Sequence, residues 1–104
     1  MTDELRKRIQ ETISKDRVML FMKGTPQMPQ CGFSAAVVGV LKQLGASYST
    51  HNILSDPDLR EGLKEYASWP TYPQLYVDGK LIGGADIVRQ MHQSGELASL
   101  LKGN

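Results

Sequence analysis

The chain has 104 residues, 40% of them hydrophobic and 22% charged, with twelve basic side chains against eleven acidic ones and a net charge of +1 at pH 7. That balance describes one ordinary globular domain over residues 1–104 with a small core, and it excludes a disordered chain and the concentrated basic stripe of a nucleic-acid binder. No apolar run reaches membrane-spanning length, and residues 1–15 alternate charged with apolar side chains, unlike a secretory signal.

Thr2 is placed to cap a first helix over residues 3–14, whose apolar stripe is Leu5, Ile9 and Ile13. Asp3/Lys7 and Glu4/Arg8 have the i,i+4 spacing of ion pairs on that helix. Residues 18–22, Val-Met-Leu-Phe-Met, are a continuous apolar run too short for a helix and suit a strand covered on both faces. The glycine and prolines of residues 23–30 predict a loop. Phe33, Ala36, Val37, Val40, Leu41 and Leu44 then recur at helical spacing over residues 32–44, with Gly45 as the stop.

Residues 48–53 predict a second strand. Ser55-Asp56-Pro57-Asp58 sets a capping residue ahead of a proline and starts a helix that runs to about residue 66. Trp69-Pro70-Thr71-Tyr72-Pro73 is a rigid loop, and residues 74–77 and 80–82 flank Asp78-Gly79, a two-residue hairpin signal. Gly83-Gly84 breaks the hairpin, a helix follows over residues 86–93, and Gly95 ends it. Residues 96–101 add a last turn or two through Leu97, Leu100 and Leu101. There are no repeats and no interdomain linker.

The order helix, β-α-β, helix, β-hairpin, helix gives an α/β fold. A right-handed crossover makes the first two strands parallel, and the hairpin adds an antiparallel pair. The expected architecture is a four-stranded mixed sheet with helices on both faces. Cys31 then lies beyond the C-terminal end of the first strand, where open α/β sheets place their ligands.

Cys31 is the only cysteine, and Ser34 stands where a Cys-x-x-Cys pair has its second thiol. A lone thiol closes no internal disulfide, so its covalent partners are an external thiol, a second chain or a metal centre. It also points to a reducing compartment, here the cytoplasm, or an organellar matrix if a transit peptide has been removed. At the start of a helix, with Lys23 at the other end of the loop, unpaired N–H groups and positive charge favour the thiolate. A buried structural cysteine is the competing reading, opposed by the glycine and prolines around it.

Gly83-Gly84-Ala85-Asp86 puts permissive backbone and a capping carboxylate at a helix start. This is either a simple turn with an N-cap or a site where free N–H groups bind a carboxylate and Asp86 accepts an amino group. Arg60 and Lys64 lie one turn apart opposite Leu59 and Leu63, which is the ordinary pattern of a solvated face. Trp69 is expected in the core. His51 falls on a strand and His92 on a surface helix, without metal-ligand spacing to each other or to Cys31.

Lys23-Gly24-Thr25-Pro26, Cys31-Gly32-Phe33-Ser34, Trp69-Pro70-Thr71-Tyr72-Pro73 and Gly83-Gly84-Ala85-Asp86 together resemble the signatures of the CGFS-type monothiol glutaredoxins, in order and across essentially the whole chain. The resemblance implies a thioredoxin-like fold with an extra N-terminal helix and a glutathione site. That site would comprise Lys23, Cys31, Arg60, Tyr72, Pro73, Ala85 and Asp86, with Arg60 on the glycyl carboxylate. It implies a cis Tyr72–Pro73 bond that turns the Tyr72 backbone toward the cysteinyl amide of glutathione.

A labile [2Fe–2S] cluster bridging a homodimer is implied too. Cys31 of each chain and two glutathione sulfurs would supply its four thiolates. The implied roles are iron–sulfur cluster assembly and transfer and iron homeostasis, with apo iron–sulfur proteins and BolA-like proteins as partners. Neither nucleic acid nor membrane is expected to bind. The alternative is a glutathione-dependent oxidoreductase acting on protein–glutathione mixed disulfides, an activity expected to be weak. Some family members have a second cysteine where this chain has Ala85, so one redox-active sulfur remains.

Overall fold

β1 (Val18–Met22) is buried along its whole length because helices cover both faces of the sheet in which it sits. The computed structural model describes residues 1–102. Its further elements are α1 (Asp3–Ile13), β2 (Gly24–Thr25), β3 (Met28–Pro29), α2 (Gly32–Gln43), β4 (Ser49–Asn52), a 3₁₀ turn (Ile53–Ser55), α3 (Pro57–Ala67), β5 (Gln74–Val77), β6 (Lys80–Gly83), α4 (Ala85–Ser94) and α5 (Glu96–Leu101). The four-stranded sheet runs β4-β1-β5-β6, with β4 parallel to β1 and the other pairings antiparallel. This is the expected mixed sheet.

Alternation along the strands divides the core in two. Met19, Phe21 and Tyr76 point to the face covered by α1 and α3, where Ile9, Ile13, Leu59 and Leu63 meet them. Val18, Leu20, Met22, Leu75 and Val77 point to the face covered by α2, α4 and α5 through Val37, Leu41, Val88 and Leu97. Asp78 and Gly79 both take positive φ, 52° and 78°, so the β5–β6 hairpin closes through the turn whose twist matches its strands. Thr2 caps α1 by accepting the Leu5 N–H at 3.1 Å.

Three local expectations change. The predicted loop over residues 23–30 contains a second, two-stranded sheet, β2 with β3, in which Gly24 pairs with Pro29 and Thr25 with Met28. Gly24 holds φ at +92°, and a Cβ there would lie 2.5 Å from the Met28 carbonyl oxygen and 2.8 Å from the Gln30 nitrogen. The second strand stops at Asn52, because Ile53 enters the 3₁₀ turn that Asn52 caps. Among the described residues the i,i+4 pairs of α1 do not close. Arg8 instead reaches across to Asp56, the N-cap of α3, through both terminal guanidinium nitrogens, and His51 meets the same carboxylate at 2.7 Å.

Gly24→Ala is expected to destabilise the protein by about 2 kcal/mol or more, read as a lowered urea midpoint, because the residue combines a positive φ with a backbone clash. Asp56 gives a pH prediction. Its bond from Arg8, and then that from His51, hold its carboxyl down to about 2 against an ordinary 3.8. A folded-state value below the unfolded one stabilises the fold above the ordinary value, and the gain is lost as pH falls toward the lower one. Urea midpoints should show wild type above Asp56→Asn at pH 6, with the gap closing between about pH 4 and pH 2.

Candidate functional site

Cys31 is the N-cap of α2, with extended backbone and no side-chain capping bond, so its half-buried sulfur faces the unpaired N–H groups of the first turn. The backbone N–H of Ser34 foremost, then that of Phe33, favour the charged sulfur without closing a capping bond, and the Lys23 charge and the Ser34 hydroxyl add to their effect. Against partial burial, these hold the thiol below its ordinary range. Ser34 is fully buried, and its hydroxyl oxygen also accepts the Lys23 N–H at 3.1 Å. The Lys23 carbonyl accepts the Gln30 N–H at 2.8 Å, so the chain on both sides of β2 and β3 is tied down.

A cavity of about 470 Å³ opens beside the thiol. Lys23, Cys31, Arg60, Tyr72, Pro73, Ala85 and Asp86 all line it, so every residue the sequence nominates meets at one place. Lys64 of α3, Trp69 and Gly84 line it too. Three cations, Lys23, Arg60 and Lys64, face one carboxylate, Asp86, which favours an anionic occupant. Lys64 is partly engaged by Glu61 at 3.0 Å.

The loop between α3 and β5 is shaped from beneath. Gln74, fully buried, donates from its carboxamide to the Trp69 carbonyl (3.3 Å) and the Thr71 carbonyl (3.2 Å), and accepts the Tyr76 hydroxyl at 2.8 Å. The Tyr72 hydroxyl donates to the Arg60 carbonyl at 2.7 Å, joining this loop to α3. Burial pushes that phenol up, which keeps its proton in place for the bond. The Tyr72–Pro73 peptide is cis, in agreement with the expectation.

Two expectations need correction. Trp69 packs on the cavity wall instead of the core: its indole edge faces Gly84, where a Cβ would lie 3.5 Å from Nε1 and 3.3 Å from the Pro73 oxygen. Asp86 does not cap α4. Gly84 does, and the Asp86 side chain stands 82% exposed in the first turn with Arg89 at 3.9 Å. Gly84 offers no side chain to the first N–H groups of α4, which leaves them for a ligand.

Among the described residues no group of three His, Cys, Asp or Glu side chains is placed to hold a metal ion. His51 serves Asp56, and His92 is half-buried on α4, more enclosed than a surface position. Sequence reasoning missed Ser34, Asn52 and Gln74 as shapers of the site. A polar residue opening an otherwise apolar strand was the available signal for Gln74, and an Asn just ahead of a new turn was the signal for Asn52.

The arrangement suits a nucleophilic thiolate working on a small anionic molecule held at its side. Residues 18–82 match the family model described as Glutaredoxin. The chain is 54% identical over 94 residues to "Probable monothiol glutaredoxin 2" of Rickettsia typhi, which covers 90% of this chain and 85% of that protein. The solution structure of reduced apo GrxS14 from poplar superposes with a TM-score of 0.80 at 49% identity, covering 94% and 90% of the two chains. A buckwheat glutaredoxin–glutathione complex superposes at 0.82 with 28% identity over 98% and 94%. With one sulfur in the thiol position and relatives this similar, the chain belongs to the glutaredoxin family, in its monothiol CGFS branch.

Proposed function

We propose that the protein binds glutathione in the cavity beside Cys31 and that two such chains, each with its glutathione, carry a labile [2Fe–2S] cluster to iron–sulfur proteins and so serve iron homeostasis. The observation that carries this reading is the single activated thiol at the edge of a cation-lined cavity. Two residues of its wall, Arg60 and Trp69, hold buried N–H donors, Nε and Nε1, with no acceptor among the described residues. Such donors fit an acceptor-rich ligand, and about 470 Å³ is within the range of small-molecule sites.

Glutathione brings two carboxylates and one ammonium. Arg60 and Lys23 hold the glycyl carboxylate by charge-assisted bonds. The Tyr72 backbone, turned at Pro73, pairs with the cysteinyl amide like a short added strand. At the other end the N–H groups of Ala85 and Asp86 take the γ-glutamyl carboxylate at the start of α4, and the exposed Asp86 carboxylate accepts the ammonium. That a glutaredoxin of the same fold forms a glutathione complex supports this placement.

The cluster is cargo, and the donor set fits it only in shared form. Four thiolates are needed and one chain has one, so two chains and two glutathione molecules complete the set. A dimer about a two-fold axis follows, with half of the ligands exchangeable. BolA-like proteins are partners that would exchange into this dimer.

The accessible, activated thiol also supports a second reading, reduction of protein–glutathione mixed disulfides. The Cys31 thiolate attacks the glutathione sulfur, forming a Cys31–glutathione disulfide and releasing the protein thiolate. A second glutathione thiolate then attacks that disulfide, releasing oxidised glutathione and restoring the Cys31 thiolate.

Anaerobic reconstitution with ferrous iron, sulfide and glutathione should give a coloured dimer by visible absorption and size-exclusion chromatography. Cys31→Ser, and wild type without glutathione, should stay colourless; a Cys31→Ser spectrum matching wild type would sink the carrier reading. Arg60→Met should weaken glutathione binding, followed by calorimetry, by about tenfold or more, since it removes a charge-assisted bond from a partly buried wall.

A further inference from the structure

Asn52 ends β4 where the two walls of the cavity originate. In the parallel register it lies beside Met22, the last residue of β1. Its side-chain oxygen accepts two backbone donors, the Gly24 N–H and the Leu54 N–H, each at 3.0 Å, and its own carbonyl accepts the Ser55 hydroxyl at 3.0 Å. The Gly24 bond holds the corner by which the chain leaves β1, one residue past Lys23. The Leu54 bond starts the turn that leads through Asp56 into α3 and so to Arg60.

Among the described residues no other side chain joins both walls through one atom. Ser34 and Gln30 hold Lys23 from the α2 side alone, and Tyr72 holds the Arg60 carbonyl from the loop alone. Gly24 sits at φ +92°, a conformation that persists only while its surroundings specify it. Loss of the acceptor would leave the part-buried Gly24 N–H without its partner, release the exposed Leu54 N–H to water, and let the Lys23 corner move relative to α3.

We infer that Asn52 is a positioning residue for the cavity, its one carboxamide oxygen setting the separation of Lys23 from Arg60 and thereby the affinity for a carboxylate held between them. The inference rests on the glutathione reading above. Asn52 touches neither the ligand nor the sulfur; it acts through Gly24 and Leu54.

Asn52→Leu keeps the side-chain volume and removes the acceptor, whereas Asn52→Asp keeps an oxygen in its place. Glutathione is titrated into each protein by calorimetry, and amide hydrogen exchange at Gly24 and Leu54 is measured without glutathione. The expected result for Asn52→Leu is a Kd raised on the order of tenfold, together with lost protection at Gly24. Asn52→Asp should recover both. Wild-type affinity in a folded Asn52→Leu protein overturns the inference, as does Asn52→Asp behaving like Asn52→Leu. Should Asn52→Leu fail to fold, wild-type exchange decides: a Gly24 amide that exchanges as fast as an unprotected peptide removes the proposed constraint. Wild type that binds no glutathione at millimolar concentration overturns the glutathione reading itself, and the positioning role falls with it.

Discussion

The meeting of one sulfur with the free N–H groups that open α2 is the contact around which the molecule is arranged. A helix start always presents unpaired donors, and most chains satisfy them with a Ser, Thr, Asp or Asn side chain. Here the N-cap is Cys31, which makes no capping bond, so the N–H groups of Ser34 and Phe33 are left to favour a negative charge on its sulfur. Stabilising the thiolate in this way needs the first turn of α2 to be immobile. Ser34 supplies that by sitting fully buried against the end of β1, with its hydroxyl on the Lys23 N–H.

The opposite wall is built by a separate set of ties, and they converge on α3. Asp56 caps the helix and gathers Arg8 from α1 and His51 from β4, while Tyr72 reaches up to the Arg60 carbonyl from the loop before β5. Arg60 and Lys64 are therefore carried on a helix fixed at its first turns from three directions. A cationic wall needs such support, because Lys23, Arg60 and Lys64 repel one another when the cavity holds no anion. Like charges held close are a cost that a ligand carboxylate removes on binding.

Much of this was legible in the chain itself, for reasons of pattern. A five-residue apolar run could only be a strand covered on both faces, Asp78-Gly79 could only turn a hairpin tightly, and Gly95 closed a helix whose period had ended. Of the site, the four motifs, the lone thiol among them, hold six of the nominated residues that line the cavity, and the family resemblance added Arg60 as the seventh. What stayed illegible depends on contacts distant in sequence. Strands of two residues, one of them ending in a proline, have no period to detect, so β2 and β3 read as loop. Arg8 had a partner at i,i+4 spacing and took another 48 residues away, because Asp56 offers a bidentate acceptor already desolvated by its neighbours. Trp69 is apolar enough for a core, yet the backbone that Gln74 holds aims it at Gly84 and the cavity.

Ser34 bears most directly on why one sulfur suffices. In a Cys-x-x-Cys protein the second thiol can close on the first, and the molecule alternates between a reactive and a shut form. With a hydroxyl there, accepting the Lys23 N–H, no such closure exists, and Ala85 offers no substitute. Cys31 can then be covered only by something from outside: glutathione, another protein's thiol, or a cluster. Under the proposed function each leaves by exchange with a further external thiol, and no internal redox step ends its stay. On the proposed reading this gives cluster carrying and mixed-disulfide reduction a shared intermediate requirement, a glutathione seated between Arg60 and the start of α4 with its sulfur at Cys31. The two activities then part only in what the glutathione sulfur is joined to on arrival.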